Sequence, residues 1–306
     1  MPSRKIVFVT GPTAVGKTDV SVRLALAVSG EIVNADALQV YREVSIASGR
    51  PGPNVTKKVP HHLFGMISVT QNFDVAVYNR MAREAVRDIQ RRGKVPIVTG
   101  GSGMYVRVLL DGIFEQEGTD ARVRRRLEDQ ARRPGGDTAL HARLSKVDPQ
   151  AAGKIHPHDT RRIVRALEVY ETLGRPISAF HQGHEGFWNH DDVSLFCLNR
   201  ERSQLYERIN QRVTQMFQAG LLEEVKSLEG LPLSRTARTM IGIREVRGYL
   251  AGEYDWEAAK DLMRRNTRRY AKRQMTWFRK ESRLTWMTIG PGETAGAIAE
   301  RILTGL

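Results

Sequence analysis

Gly11-Pro12-Thr13-Ala14-Val15-Gly16-Lys17-Thr18 is the stretch that decides the fold. It fills every fixed position of G-x-x-x-x-G-K-[ST], a match expected by chance in roughly one in 100 chains of this length. An apolar run, residues 5–9, precedes it, and a helical pattern over residues 19–28 follows. Strand, glycine-rich turn and helix in that order make a phosphate-binding loop. The glycines let backbone N–H groups turn toward an anion, and the helix N-terminus adds partial positive charge. Lys17 can reach a terminal phosphate, and Thr18 offers a hydroxyl to Mg²⁺.

Working outward, residues 31–35 read as a second strand that ends at Asp36. Residues 75–91 read as an amphipathic helix, and 95–99 as a strand running into Gly100-Gly101-Ser102-Gly103. Strands alternating with helices predict a parallel α/β sheet. The strand over 95–99 ends without the carboxylate usual in nucleotide-hydrolysing relatives of this loop. Asp36 is the nearest strand-end carboxylate. Ligands of open α/β sheets gather beyond the carboxyl ends of the strands, which would bring Asp36 toward Lys17. Three roles stay open for Asp36 at this point: Mg²⁺ ligand, general base or helix cap.

Near residue 115 the pattern changes. From there to about residue 186 the chain is helical and arginine-rich. An apolar strand returns at 193–198, helices follow from 203, and a late strand is predicted at 284–289. The expected architecture is α/β: a P-loop parallel-sheet core, residues 1–114 and 191–306, interrupted by a helical insertion domain, 115–190. The 306 residues are 41% hydrophobic and 27% charged, as in ordinary globular proteins. No apolar run is long enough to span a membrane, and residues 6–9 are too short for a signal peptide. One cysteine, Cys197, rules out a disulfide framework and a cysteine-based zinc site. A monomer in the cytoplasm is expected.

Charge is the second clue. Forty-eight Lys and Arg against 34 Asp and Glu give a net charge of +14, which attracts polyanions. Its distribution sharpens the point. Read as a helix, residues 255–281 place Arg264, Arg268 and Lys272 in one row and Arg265, Arg269 and Arg273 in the next. Met263, Tyr270, Gln274, Trp277 and Phe278 gather on the packing side. Nine of residues 260–280 are Lys or Arg against one Asp, so ion pairs within the helix cannot balance the stripe. Nucleic acid phosphates would balance it, and Arg265, Arg269 and Arg273 are candidate contacts. Further arginines, including Arg124, Arg161, Arg162 and Arg165, cluster in the insertion.

At this point the chain resembles a known family, the bacterial tRNA dimethylallyltransferases, over essentially its whole length. The resemblance rests on the phosphate loop, Asp36-Ala-Leu-Gln-Val-Tyr41, Pro60-His-His-Leu63, Gly100-Gly-Ser-Gly-Met-Tyr105 and Asp159-Thr-Arg-Arg-Ile-Val-Arg-Ala-Leu-Glu168. Leu205-Tyr-Glu-Arg-Ile-Asn-Gln-Arg212, Gly220-Leu-Leu-Glu-Glu-Val225 and Tyr270-Ala-Lys-Arg-Gln-Met-Thr-Trp-Phe-Arg279 continue it. It implies transfer of a dimethylallyl group from dimethylallyl diphosphate to N6 of the adenosine next to the anticodon, with Mg²⁺ and release of diphosphate. The tRNA anticodon stem-loop is then the partner.

The resemblance also implies roles. Asp36 would be the general base, Arg212 a catalytic arginine on the diphosphate, Lys17 its companion, and Thr18 the magnesium-site hydroxyl. tRNA contacts would come from Asp36, Ala37, Leu38, Gln39 and Ser102, from Arg124, Arg161, Arg162, Ile163, Val164 and Arg165, and from Arg238, Gly242 and Arg244. This sequence departs from the family pattern at Ser102 (usually Thr), Ile243 (usually Tyr) and Phe64-Gly65 (usually Ile-Asp). The rival reading is an adenylate isopentenyltransferase acting on AMP or ATP, which would share the loop and Asp36 but would not need the arginine stripe.

Overall fold

The computed structural model describes residues 4–113, 120–180 and 186–306. The chain forms two compact units, Met1–Asp111 with Gly186–Leu306, and Gly112–Glu185. The start of the insertion expected at residue 115 lies outside the described residues. The chain is back in the first unit from Gly186, whose modest size lets it lie against the Leu110 carbonyl while Phe187 N–H donates to Leu109 O.

The first segment of unit one runs β1 (Lys5–Thr10), α1 (Lys17–Ala27), β2 (Glu31–Asn34), α2 (Ser45–Ser48), α3 (Pro53–Thr56), β3 (His61–His62), α4 (Val75–Arg91), β4 (Pro96–Gly100) and α5 (Gly103–Asp111). Unit two holds α6 (Ala121–Ala131), α7 (Gly136–Val147), α8 (Pro149–Ala152), α9 (Thr160–Leu173) and a 3₁₀ turn, Ile177–Phe180. The chain returns to unit one through β5 (Asp192–Asn199), α10 (Arg202–Gln218), α11 (Leu221–Lys226), α12 (Arg235–Arg238), α13 (Ile243–Leu250), α14 (Trp256–Phe278), β6 (Thr285–Thr288) and α15 (Ala295–Leu303).

The six strands form one parallel sheet in the order β3-β2-β4-β1-β5-β6. β1 lies between β4 and β5. Its Ile6, Val7, Phe8 and Val9 are fully buried, which explains a continuous apolar run in place of the alternation of a half-exposed strand. A core of Val7, Leu24, Ile97, Leu198 and Ile298 joins the sheet to α1 and α15. Cys197 is part of this interior, and burial pushes its thiol up to about 12, so it is a small core residue and not a reactive one. Unit two has its own core, in which Leu127, Leu144, Ile163 and Leu167 meet.

Helix starts follow local chemistry. Asp74 accepts from Ala76 and Val77 N–H to cap α4, and Asp255 from Ala258 N–H to cap α14. α1 starts two residues earlier than the periodicity suggests. Its N-cap is Gly16 in a left-handed conformation, and no side chain caps it. An uncapped N-terminus leaves the first N–H groups to another acceptor.

Candidate functional site

The carboxyl ends of β1, β2, β4 and β5 deliver the phosphate loop, Asp36, the Gly101-Ser102 turn and Arg200 to one edge of the sheet. The loop bends through positive φ at Gly11 (139°), Ala14 (63°) and Gly16 (112°). At Gly11 a side chain is also excluded sterically, since a Cβ would sit 2.6 Å from the Leu198 carbonyl oxygen. The strands on either side of β1 end in Gly100 and Asn199, so the carboxylate of this edge is Asp36, at the end of β2.

A cavity of about 880 Å³ opens beside the loop. Lys17, Thr18, Asp36, Arg208 and Arg212 line it, together with Ile32, His61 and Phe64. Lys17 Nζ donates to the carbonyls of Gly11 (2.9 Å) and Pro12 (2.8 Å). Burial holds its pKa down at about 8; Asp36 opposes that shift and Arg212 adds to it. Arg212, on α10, donates to Gly49 O at 3.4 Å. Burial lowers its pKa too, again against the pull of Asp36. Two buried cations and one anion therefore feel each other across the cavity.

Asp36 is held by its surroundings. Its Oδ1 accepts from Leu38 N–H at 2.9 Å, and its own N–H donates to Asn34 Oδ1 at 2.8 Å. No helix starts at Asp36, so the cap reading falls: the carboxylate closes a short turn instead. Behind it stand buried phenols. Burial raises the pKa of Tyr78, Tyr105 and Tyr270, and the charge of Asp36 raises each further. These phenols stay protonated around neutral pH. Ser102 Oγ accepts from Ala37 N–H at 3.1 Å and ties the β4 turn to the segment carrying Asp36, Ala37, Leu38 and Gln39.

The basic helix α14 needs a correction. Its two arginine rows do not share one open face. Arg264 bonds Thr214 Oγ1 and Asp261, and Arg268 bonds Asn210 Oδ1, so these two are turned against α10, while Lys272 of the same row is exposed. Arg265, Arg269 and Arg273 are exposed and form no ion pair among the described residues. Trp277 is only half-buried, packs against Gly103 and carries the Arg107 guanidinium 5.1 Å from its ring centroid, whereas Phe278 is fully buried.

Other expected contacts separate in the same way. Arg238, Arg244 and Arg265 line a second cavity of about 650 Å³. Arg244 pairs with Glu245, and Gly242 (φ 101°) gives its N–H to the same carboxylate. Ile243 is fully buried, so no RNA contact can come from its side chain. In unit two Arg161 and Arg162 are exposed, and Arg124 and Arg165 both face the buried Glu168. Ile163 and Val164 belong to the core of that unit at 0 and 2% exposure, and their side chains are not available to RNA. α9 turns its apolar face inward there, and the arginines flank it.

One residue that ties the site together escaped the sequence reading. Gln274, placed on the packing face of α14, is 6% exposed; its Oε1 accepts from Thr13 N–H and its Nε2 donates to Gly101 O, both at 2.9 Å. It joins the phosphate loop to the β4 turn. An amide at an apolar helix position was the available signal. His61 and Phe64 form part of the cavity wall, their rings edge-on at 5.3 Å, while His62 bonds the buried Glu31.

A phosphate loop, the Lys17 and Arg212 cations and the Asp36 carboxylate thus meet at one cavity, with Ile32, His61 and Phe64 in its wall. The sequence profile of the IPP transferase family matches residues 39–281.

The chain belongs to the IPP transferase family.

A tRNA dimethylallyltransferase of Geobacter sulfurreducens is 45% identical over 285 residues, covering 92% of this chain and 91% of the relative. The full-length tRNA isopentenylpyrophosphate transferase of Bacillus halodurans superposes with a TM-score of 0.73 at 36% identity, covering 99 and 96% of the two chains. A eukaryotic dimethylallyltransferase acting on tRNA gives a TM-score of 0.83 at 25% identity, over 98% of this chain and 78% of its own. This IPP transferase family member thus keeps the family fold along its length. Among the described residues no helix is long and apolar enough to cross a membrane, and no group of three or more His, Cys, Asp or Glu could hold a metal.

Proposed function

We propose that this chain transfers a dimethylallyl group from dimethylallyl diphosphate to N6 of the adenosine beside the anticodon of tRNA, at position 37, and releases diphosphate. The observation that carries the reading is the convergence of Lys17, Arg212 and Asp36 on one cavity at the open end of the phosphate loop. The loop amides, the α1 N-terminus, Lys17 and Arg212 hold the diphosphate and stabilise the negative charge that grows on it as the bond to carbon breaks. Ile32, His61 and Phe64 give the dimethylallyl group an apolar wall. The adenine amine is a weak nucleophile because its lone pair is delocalised into the ring. It must lose a proton as the new C–N bond forms, and Asp36 takes that proton.

Thr18 sits beside Lys17 on the cavity wall, where its hydroxyl, with diphosphate oxygens, would offer the oxygen donors that suit Mg²⁺. The ion would neutralise the leaving diphosphate. The acceptor base has to leave its stack to reach Asp36. We assign the holding of the anticodon stem-loop to Arg265, Arg269 and Arg273, to Arg238 and Arg244, and to Arg124, Arg161, Arg162 and Arg165 of the helical insertion, with Ala37, Leu38, Gln39 and Ser102 at the rim. An acceptor as small as AMP gives no reason for the exposed, unpaired arginines of α14. The reaction belongs in the cytoplasm, where tRNA is modified.

The test is incubation with labelled dimethylallyl diphosphate and either unmodified tRNA or AMP. Label should enter tRNA at the adenosine beside the anticodon and should not enter AMP. Transfer to AMP with tRNA left unlabelled, or transfer of the ATP γ-phosphate to a small acceptor, would sink the reading.

A further inference from the structure

Arginines that no role above uses hold the backbone of the phosphate loop. Arg208 Nε donates to Ala14 O at 2.9 Å, and Arg200 Nε donates to Val15 O at 3.0 Å. With Lys17 on Gly11 O and Pro12 O, the carbonyls of residues 11, 12, 14 and 15 are all held by cations. Arg200, Arg208 and Arg212 form no ion pair with a carboxylate among the described residues; burial lowers the pKa of Arg200 and Arg212, and repulsion from Arg208 adds to it. Asp36 attracts Arg212 and Glu293 attracts Arg200 without forming an ion pair, so for Arg200 and Arg208 the direct partners are the loop carbonyls.

A peptide unit is planar and trans, so its C=O and the following N–H point in opposite directions. A carbonyl drawn toward Arg208 sets the direction of Val15 N–H, which donates to Pro12 O at 3.4 Å, and one drawn toward Arg200 sets that of Gly16 N–H. Ala14 is the non-glycine residue of the loop at positive φ, a conformation disfavoured for an L-residue. Something outside the loop must hold it there, and the Arg208 bond falls on that residue.

We propose that Arg200 and Arg208 are positioning residues that set the phosphate loop for diphosphate by holding the Ala14 and Val15 carbonyls away from the anion seat. This rests on the diphosphate reading of the loop. The arginines act through direction as well as charge: the donor in both bonds is Nε, at a fixed place on the side chain.

That distinction can be measured. Gln carries its Nε2 the same number of bonds from Cα as the Nε of Arg, so Arg208→Gln keeps a donor at that place and loses the charge. Arg208→Lys keeps the charge and has carbon there. Binding of inorganic diphosphate with Mg²⁺ to the full chain is followed by calorimetry, with thermal midpoints recorded to show folding. Arg208→Ala, Arg200→Ala and Arg208→Lys should each weaken binding about 10- to 100-fold, as for loss of one charge-assisted hydrogen bond. Arg208→Gln should bind more tightly than Arg208→Lys. If Arg208→Lys binds as well as Arg208→Gln or better, the arginine supplies charge alone and the proposal is overturned. It is also overturned if both alanine variants bind as the parent does while Lys17→Ala binds weakly. If Lys17→Ala binds as tightly as the parent, the diphosphate reading itself fails, and the positioning role falls with it.

Discussion

Replacing Asp36 by Asn separates the chemistry of the site from its architecture. Asp36 Oδ1 accepts from Leu38 N–H, and the amide oxygen of Asn can accept the same bond, while the bond from Asp36 N–H to Asn34 involves backbone only on the Asp36 side. Stability should change by no more than about 0.5 kcal/mol. Basicity is lost, which should lower the chemical step about 10²- to 10⁴-fold. A second effect follows from the charge. Asp36 raises the pKa of Lys17, which burial holds at about 8. Without Asp36, Lys17 drops further below 8 and loses its proton sooner as pH rises. Each unit of that drop costs about tenfold in protonated Lys17 once the assay pH exceeds its pKa. The donor KM of the variant should therefore rise more at pH 8 than at pH 6.5. Single-turnover prenylation of tRNA at pH 6.5, with donor and tRNA saturating, isolates the base from this effect. A near-parental rate there, or full recovery as Mg²⁺ is raised, would remove Asp36 from the role of base.

Lys17 itself sets a pH limit. Its folded pKa is lowered from 10.5, so the charged form is disfavoured by folding: stability should rise with pH between about 8 and 10.5. Diphosphate binding needs the charged form and should weaken as pH rises through 8, with proton uptake visible as a buffer-dependent binding enthalpy. Neutralising Arg265, Arg269 and Arg273 together should reduce the salt slope of tRNA binding by about 2–3, one unit per phosphate contact, whereas Arg264→Ala, which removes a residue turned to α10, should change it far less; filter binding from low to high salt measures both. Gln274→Leu strands Thr13 N–H and Gly101 O and should cost about 2–5 kcal/mol, read from denaturant unfolding; a cost near zero would mean the bridge does not hold the loop.

Sequence alone determined what is local. The phosphate loop is readable because its eight residues carry their own backbone requirements, and the strand before and helix after it are fixed by short-range pattern. Asp36 could be singled out as the carboxylate at a strand end. Period-3.6 patterning placed arginines on one side of α14 and apolar groups on the other. What it left open depended on partners far along the chain. Periodicity defines the faces of a helix but not what covers them, so only packing of α14 on α10 distinguished the half-covered Arg264 and Arg268 from the open row, Arg265, Arg269 and Arg273. The same holds for Ile163 and Val164, which sit between arginines in sequence and inside a core in space. The roles of Asp36 narrowed only when no helix followed it and Lys17 and Arg212 were found across the cavity. The Arg200, Arg208 and Gln274 bonds to the loop span 185, 194 and 261 residues, respectively. No local pattern encodes a bond of that kind. It exists because a parallel sheet gathers the ends of distant strands, and the helices that follow them, at one edge.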